Sequence, residues 1–289
     1  MSDRIDLLSG VKQGGVLSPL LFTLYVDVVL DKLERSGVGC YINYNCCNSY
    51  MYADDIILIS ISVTDLQRLF NICSEVFVNL DLPVNLDKCH CMRIGPRFNM
   101  PCKPLTIGNS TVKWVDKIQY LGITLCRSKS FVCEWRESKG KFYMSVNTIL
   151  GRLGTNGSID VILELIKSQA VPSLIYGIAS SALTSSEIKS FCNAYDNIFR
   201  KIFHTYDCKI IAYCQWYCGF WPFQLLYNYH RFKFLDSLIK SNRLNRRADV
   251  DKADVLDYMN ILNKYNIEDK DSNAKIRFRF WKYFESILS

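Results

Sequence analysis

Two adjacent carboxylates, Asp54 and Asp55, lie in the middle of the apolar run Tyr50-Met51-Tyr52-Ala53-Asp54-Asp55-Ile56-Ile57-Leu58-Ile59. An ionised carboxylate moved out of water needs a partner, a metal or a proton. A turn at Ala53-Asp54-Asp55 would bring the acids to a strand end and leave the flanking Tyr and Ile residues buried. In a continuous strand the two acids would point to opposite faces. A strand–turn–strand arrangement lets at least one of them aim into a cleft. The chemistry that suits such a pair is divalent-metal binding, because hard Mg²⁺ or Mn²⁺ prefers carboxylate oxygens. On spacing alone, a polar hairpin tip with two solvated acids is the simpler explanation of the pattern. Other reactive types are less suggestive. Cys208, Cys214, Cys218 and His230 do not fit zinc-ligand spacing. Cys89-His90-Cys91 is too tight for a full site, and His90 and His204 have no nucleophile partner of the triad kind.

The elements that must hold the acids can be read around them. Gly10-Val11-Lys12-Gln13-Gly14-Gly15 is a loop, and Ser18-Pro19 reads as the cap and first position of a helix running to about Arg35, with Gly37 as its stop. Thr23, Asp27, Asp31 and Glu34 fall at helical spacing and leave a broad apolar face. Val38 to Tyr44 reads as a strand leading through 45–48 into the acidic hairpin. Thr64-Asp65 caps a helix whose Leu66, Leu69, Phe70, Cys73, Val76, Phe77 and Leu80 form one face, ended by Pro83. Strands follow near Cys89 to Ile94, at Leu105 to Ile107 and Thr111 to Val115 around Gly108-Asn109-Ser110, and at Ile118 to Leu125. After about Arg127 helical periodicity takes over. Helices are expected over Phe131 to Leu153, Ser158 to Ala170 (ending before Pro172), and from a Thr184/Glu187 capping box with Ile188, Phe191, Tyr195, Ile198, Phe199 and Ile202 inward. Further helices cover Pro222 to Ser241, Lys252 to Lys264 and Ser272 to Leu288. The fold class is α+β followed by a helical portion, with the seam near 126–131.

Composition narrows the partners. The 289 residues are 49% hydrophobic, which excludes wholesale disorder. A net charge of +7 permits a polyanionic partner without demanding one. The terminus Met1-Ser2-Asp3-Arg4-Ile5-Asp6 is too charged for a signal peptide. The longest apolar run, Pro19 to Leu30, is broken by Thr23 and Asp27, so no membrane span is expected. Thirteen scattered Cys suit a reducing intracellular compartment, cytoplasm or nucleus, better than a disulfide framework.

Four stretches occur in order: GVKQGGVLSPLLF at Gly10 to Phe22, YADD at Tyr52 to Asp55, NLDKC at Asn85 to Cys89 and YLGI at Tyr120 to Ile123. The series resembles the second half of a reverse transcriptase palm of the non-LTR, LINE-like type. VPSLIYG at Val171 to Gly177 resembles the segment that follows the palm in those enzymes, although Ile178-Ala179-Ser180-Ser181 lacks the aromatic that usually comes next. An intron maturase would share YADD, but GVKQGGVLSPLLF and LIYG favour the retrotransposon. The resemblance implies an incomplete right-hand palm over 1–126, a thumb-like helical region over 127–205 and a helical region of unassigned role over 206–289. It implies RNA-templated DNA synthesis with two Mg²⁺ or Mn²⁺ ions, an RNA template, a DNA primer and deoxynucleotide triphosphates.

By the same resemblance Asp54 coordinates metal directly, while Asp55 ligates weakly or shapes the site. Tyr52 packs near the primer end. Gln13, Gly14 and Gly15 lie beside the template and nascent base pair. Lys88 stands close to the leaving pyrophosphate, where it could neutralise charge or donate a proton. Tyr120, Leu121 and Gly122 form the primer grip. Arg200, Lys201, Arg243, Arg246, Arg247, Lys275, Arg277, Arg279 and Lys282 are basic groups near aromatics that could meet phosphates or be solvated helix faces.

One departure stands out. The family's palm opens with a strand bearing another metal-binding aspartate, and only Met1 to Ser9 precede the loop here. Asp3 and Asp6 are the upstream acids, and neither lies in an apolar strand pattern. The expectation is an N-terminally truncated copy, inactive as a polymerase on its own and marginally stable. The alternative from a different class is a non-catalytic nucleic-acid-binding remnant.

Overall fold

A computed structural model of the chain describes residues 14–42, 45–82, 84–153, 157–245, 251–268 and 270–288. They fall into two compact units, Met1–Ile118 with Arg127–Phe131, and Gln119–Cys126 with Val132–Ser289.

In the first unit, helix α1 (Ser18–Arg35) is followed by strands β1 (Cys40–Ile42), β2 (Asn45–Cys47), β3 (Ser49–Tyr52) and β4 (Asp55–Leu58), then helix α2 (Val63–Asn79). β1 and β2 pair antiparallel, as do β3 and β4. A single 3-10 turn at Leu86–Lys88 leads to β5 (His90–Cys91), β6 (Leu105–Ile107) and β7 (Ser110–Trp114), arranged β5-β7-β6 with β5 parallel to β7. Val26, Val29 and Leu33 of α1 bury against Leu69, Cys73, Val76 and Phe77 of α2, with Met51, Ile56 and Leu58 of the hairpin packed on the same cluster. A second cluster joins Phe70, Cys91, Leu105 and Val112. Segment 127–131 rejoins this unit because the Arg127 backbone and guanidinium both bond Asp116, and Ser128 C=O accepts from Gly95 N–H.

Several local expectations are corrected here. Leu17, not Ser18, is the cap residue of α1, and Ser18-Pro19 sit inside its first turn. Ser62 rather than Thr64 caps α2; its Oγ accepts from Asp65 N–H at 3.0 Å and donates to the Asp65 carboxylate at 2.8 Å. The strand expected over Val38 to Tyr44 is the shorter Cys40–Ile42, and 45–48 contributes β2 instead of a linker. Residues 43–44 and Pro83 lie outside the described ones. The strand over Cys89 to Ile94 shrinks to two residues. The apolar face of α1 is buried only in part, since Leu20, Leu21, Leu24 and Tyr25 are more than half exposed.

The second unit begins within β8 (Lys117–Tyr120), which turns at Leu121-Gly122 into β9 (Ile123–Cys126) and is followed by β10 (Val132–Glu134) in the order β10-β9-β8. The single strand read from periodicity over Ile118 to Leu125 is therefore a hairpin, the form that the primer-grip resemblance implied. Leu121 at φ +46° and Gly122 at φ +77° are both left-handed, the backbone that two-residue hairpin turns require; Leu121 hid this in an apolar run. Helix α3 (Arg136–Leu153) starts later than expected because Val132–Glu134 pairs with β9.

Helix α4 (Ile159–Leu165) does not stop before Pro172. It widens into one π-type turn, Ile166–Ala170, and continues as α5 (Val171–Ile175). The widened turn absorbs the missing proline N–H and its ring. The stretch Ile159–Ser180 is apolar and long enough by composition to cross a membrane, but Ile162, Ile166, Ala170, Leu174 and Ile178 bury in this unit's core. Helix α6 (Ser185–Phe203) carries the expected Thr184/Glu187 capping box and buries Phe191, Tyr195, Ile198 and Phe199. Helix α7 (Cys208–Tyr217) was not anticipated. Helices α8 (Phe223–Asn245), α9 (Lys252–Tyr265) and α10 (Asn273–Leu288) follow. They enclose a second, aromatic-rich cluster in which Tyr265 stacks on Phe280 at 4.0 Å.

Between α9 and α10, Asp271 forms ion pairs with Lys275 Nζ at 2.7 Å and Arg279 Nε at 2.6 Å, and its Oδ2 accepts from Glu268 N–H. Lys275, then the Glu268 N–H and Arg279, hold its carboxyl down to about 2. Because the folded value lies below the ordinary 3.8, the stabilisation is full above pH ~4 and lost as pH falls through ~2. Urea titrations between pH 4 and 2 should show a steeper loss of stability in the wild type than in Asp271→Asn.

Candidate metal and nucleic-acid site

The acids stand at the tip of a four-residue-per-arm hairpin whose register pairs Ser49 with Leu58, Tyr50 with Ile57, Met51 with Ile56 and Tyr52 with Asp55. Ala53-Asp54 is thus the turn and Asp55 the first strand residue. Ala53 sits at φ +53°, a conformation that costs an L-residue roughly 1 kcal/mol. Alternation faces Met51, Ile56 and Leu58 to the core cluster, while Tyr50 and Tyr52 are more than half exposed. This corrects the expectation that the flanking tyrosines are buried. Asp54 and Asp55 are exposed too, so they escape the desolvation cost through the turn. Neither carboxylate has a hydrogen-bond or ion-pair partner among the described residues, which leaves both available to a cation. No cluster of three potential metal ligands occurs among the described residues.

The root of the hairpin is fixed by a residue that sequence reasoning passed over as part of a linker. Asn48 is buried, and its Nδ2 donates to Leu33 C=O at 2.6 Å and Val38 C=O at 2.9 Å. Its Oδ1 accepts from Ser49 Oγ at 3.0 Å, and its backbone C=O accepts from Ile59 N–H at 2.8 Å. One residue, through its side-chain amide and its backbone carbonyl, therefore ties the end of α1 to both arms of the acidic hairpin. Gly39 permits the approach: a Cβ there would lie 2.4 Å from Asn48 Cβ. A polar residue directly before an alternating strand, nine residues after a glycine, was the signal available.

Of the other anticipated residues, Gln13 lies outside the described ones. Gly14 is left-handed at φ +79°, with open space where a Cβ would be, and Gly15 C=O accepts from Ser18 N–H. Lys88 closes the 3-10 turn capped by Asn85 Oδ1 on Asp87 N–H; it is exposed and its ammonium has no partner among the described residues. Tyr120, Leu121 and Gly122 form the end and turn of the β8–β9 hairpin in the second unit, where Tyr176 Oη donates to Leu121 C=O at 2.9 Å.

The basic groups divide. Lys201 donates to Asn147 and Arg200 to Asn197. Lys275 and Arg279 are engaged by Asp271 and Glu268, while Arg277 lies over Trp221 and Lys282 over Phe278. Arg246, Arg247 and the Arg243 side chain lie outside the described residues. Asp254 and Asp257 pair with the buried Arg231.

Comparison with known proteins decides the family. Residues 3–125 match the model described as reverse transcriptase (RNA-dependent DNA polymerase). That segment belongs to the reverse transcriptase family. The relatives that the chain is similar to are Pol polyproteins of R2 retrotransposable elements. The Retrovirus-related Pol polyprotein from type-2 retrotransposable element R2DM of Drosophila melanogaster is 31% identical over 139 residues, 45% of this chain and 13% of that protein. The Pol polyprotein from type-1 retrotransposable element R2 of Popillia japonica is 24% identical over 217 residues, 70% of this chain and 34% of its own length. The corresponding R2 polyprotein of Nasonia vitripennis is 28% identical over 123 residues, 39% and 12% respectively. The chain thus spans between about an eighth and a third of these relatives. The reverse transcriptase match contains Gly14, Gly15, Asp54, Asp55, Lys88 and the β8–β9 turn, and it ends within β9.

Proposed function

We propose that this chain supplies palm and thumb elements of an RNA-directed DNA polymerase from an R2-like retrotransposon, working on an RNA template, a DNA primer and deoxynucleotide triphosphates inside the cell. The observation that carries the reading is the partner-free Asp54/Asp55 pair at a rigidly rooted hairpin tip within the reverse transcriptase match. The palm spans 1–126, the thumb 127–205, and 206–289 has no assigned role. All thirteen cysteines are free thiols, which suits a reducing compartment.

The donor set fits Mg²⁺ or Mn²⁺ in kind, since both groups are carboxylates. Asp54 would hold the ion and Asp55 would ligate weakly or orient it. When bound, the metal supplies the positive charge that activates a primer hydroxyl and steadies a triphosphate. Exposed Tyr52 would pack beside the primer end, and the unpaired Lys88 ammonium would neutralise charge on departing pyrophosphate. Gly14 and Gly15, lacking Cβ atoms, would let backbone approach the template. Leu121 and Gly122 would support the primer backbone. Two carboxylates are a sparse donor set, so the chain by itself is expected to bind a primed template without extending it.

Fluorescence anisotropy with a DNA primer annealed to RNA tests this. Mg²⁺ should tighten binding by the wild type, and Asp54→Asn should lose that increment. Binding that ignores Mg²⁺, or no binding, would overturn the reading. Robust primer extension by the purified chain would overturn the expected inactivity.

A further inference from the structure

Within the second unit, two stretches far apart in sequence close on one another. Tyr176 ends α5 and leaves it with extended backbone, φ −60° and ψ 124°. Its Oη donates to Leu121 C=O at 2.9 Å. Its ring lies along the turn so closely that a Cβ on Gly122 would come 3.3 Å from Tyr176 Cε1. The next residue, Gly177, is left-handed at φ +73°, and a Cβ there would fall 2.6 Å from Ile123 Cδ1. Leu121 itself holds a left-handed conformation that a leucine rarely adopts. Something must hold that turn, and the Tyr176 hydroxyl is bonded to its carbonyl. Behind Tyr176, Leu174 and Ile178 are fully buried, so the ring projects from a fixed support.

We propose that Tyr176 is the positioning residue of the Leu121-Gly122 turn, and that through it the α5 segment sets the affinity for the DNA strand of an RNA–DNA hybrid. This rests on the polymerase reading above. The hydroxyl fixes the direction of the Leu121 carbonyl, and hence of the two backbone units that would face the primer's sugar–phosphate chain. The ring crowds residue 122, where an added Cβ at 3.3 Å from Cε1 would press it back by a few tenths of an ångström.

The test uses the full chain and a fluorescein-labelled DNA primer annealed to RNA. Tyr176→Phe removes the hydroxyl and keeps the ring. It should weaken hybrid binding about three- to tenfold, the range one hydrogen bond spans, and speed hydrogen exchange at residues 121–123. Tyr227→Phe is the control: Tyr227 Oη donates to Ser181 C=O and accepts from Leu183 N–H in the same unit. It should lower the melting temperature at least as much while leaving hybrid affinity unchanged. Adding Leu121→Gly to Tyr176→Phe should restore affinity, because glycine takes the left-handed turn without strain. Wild-type binding with an unaffected Tyr176→Phe, or an equal loss in Tyr227→Phe, would overturn the inference. A wild type that binds no hybrid would bring down the polymerase reading itself, a distinct outcome. If Tyr176→Phe does not fold, Gly122→Ala probes the same turn from the other side; unchanged hybrid affinity in that variant would equally contradict the proposal.

Discussion

Replacing both Asp254 and Asp257 by Asn should lower the unfolding free energy by about 3–5 kcal/mol, the largest single loss expected in the helical unit. Arg231 is the reason. Its side chain is 2% exposed, yet it is a full cation. Its Nη2 bonds Asp254, its Nε bonds Asp257 at 2.9 Å, and its Nη1 donates to Ala179 C=O at 3.0 Å. The cluster joins α8, α9 and the turn after α5. With both acids neutralised, the guanidinium stays buried and its charge has no counter-ion. The reverse change, Arg231→Met, should cost less. Asp254 and Asp257 are 30% and 37% exposed and can rehydrate, while methionine fills much of the vacated space. Urea unfolding of the three proteins at neutral pH checks the ordering. A harsher effect from Arg231→Met than from the double Asn variant would contradict this account of the cluster.

Asn48→Asp should destabilise the first unit by about 2–4 kcal/mol although the side chain barely changes shape. The amide donates two hydrogen bonds to Leu33 and Val38 carbonyls. A carboxylate has no proton to give and would confront both oxygens with its own charge. The effect should be local before it is global. Ile59 N–H, bonded to Asn48 C=O, should exchange faster, and the Asp54/Asp55 tip should lose metal affinity because its root is released. Asn48→Ala should cost less, since it removes the donors without adding a buried charge. Chemical denaturation with residue-level hydrogen exchange distinguishes these outcomes.

Where periodicity was strong, the sequence could be read closely. The faces of α2 and α6, the β6–β7 hairpin and the acidic hairpin all follow from spacing, because each element buries one face. The failures share a cause. Leu121 and Pro172 are residues whose usual behaviour was overridden by tertiary contacts: the turn is held by Tyr176, and the proline is absorbed by a widened helical turn. Val132–Glu134 is apolar enough for a helix, but it pairs with β9. Asn48 left only a faint signal and Arg231 none, because a buried polar group is recognised mainly through its partners, which lie 15 and 23 residues away in Leu33 and Asp254. The motifs themselves could be read from the sequence, while the solvent exposure of their residues could not. The tyrosines beside the acids point outward, where a nucleic acid could meet them.

We propose that the Asp54/Asp55 tip binds a divalent cation. Mn²⁺ titrated into isotope-labelled chain reports it directly, since the ion broadens amide signals close to it. Broadening should centre on residues 52–56 at the lowest Mn²⁺ concentrations, be displaced by excess Mg²⁺ and be absent in Asp54→Asn/Asp55→Asn. Broadening that begins elsewhere and leaves the hairpin sharp would contradict it.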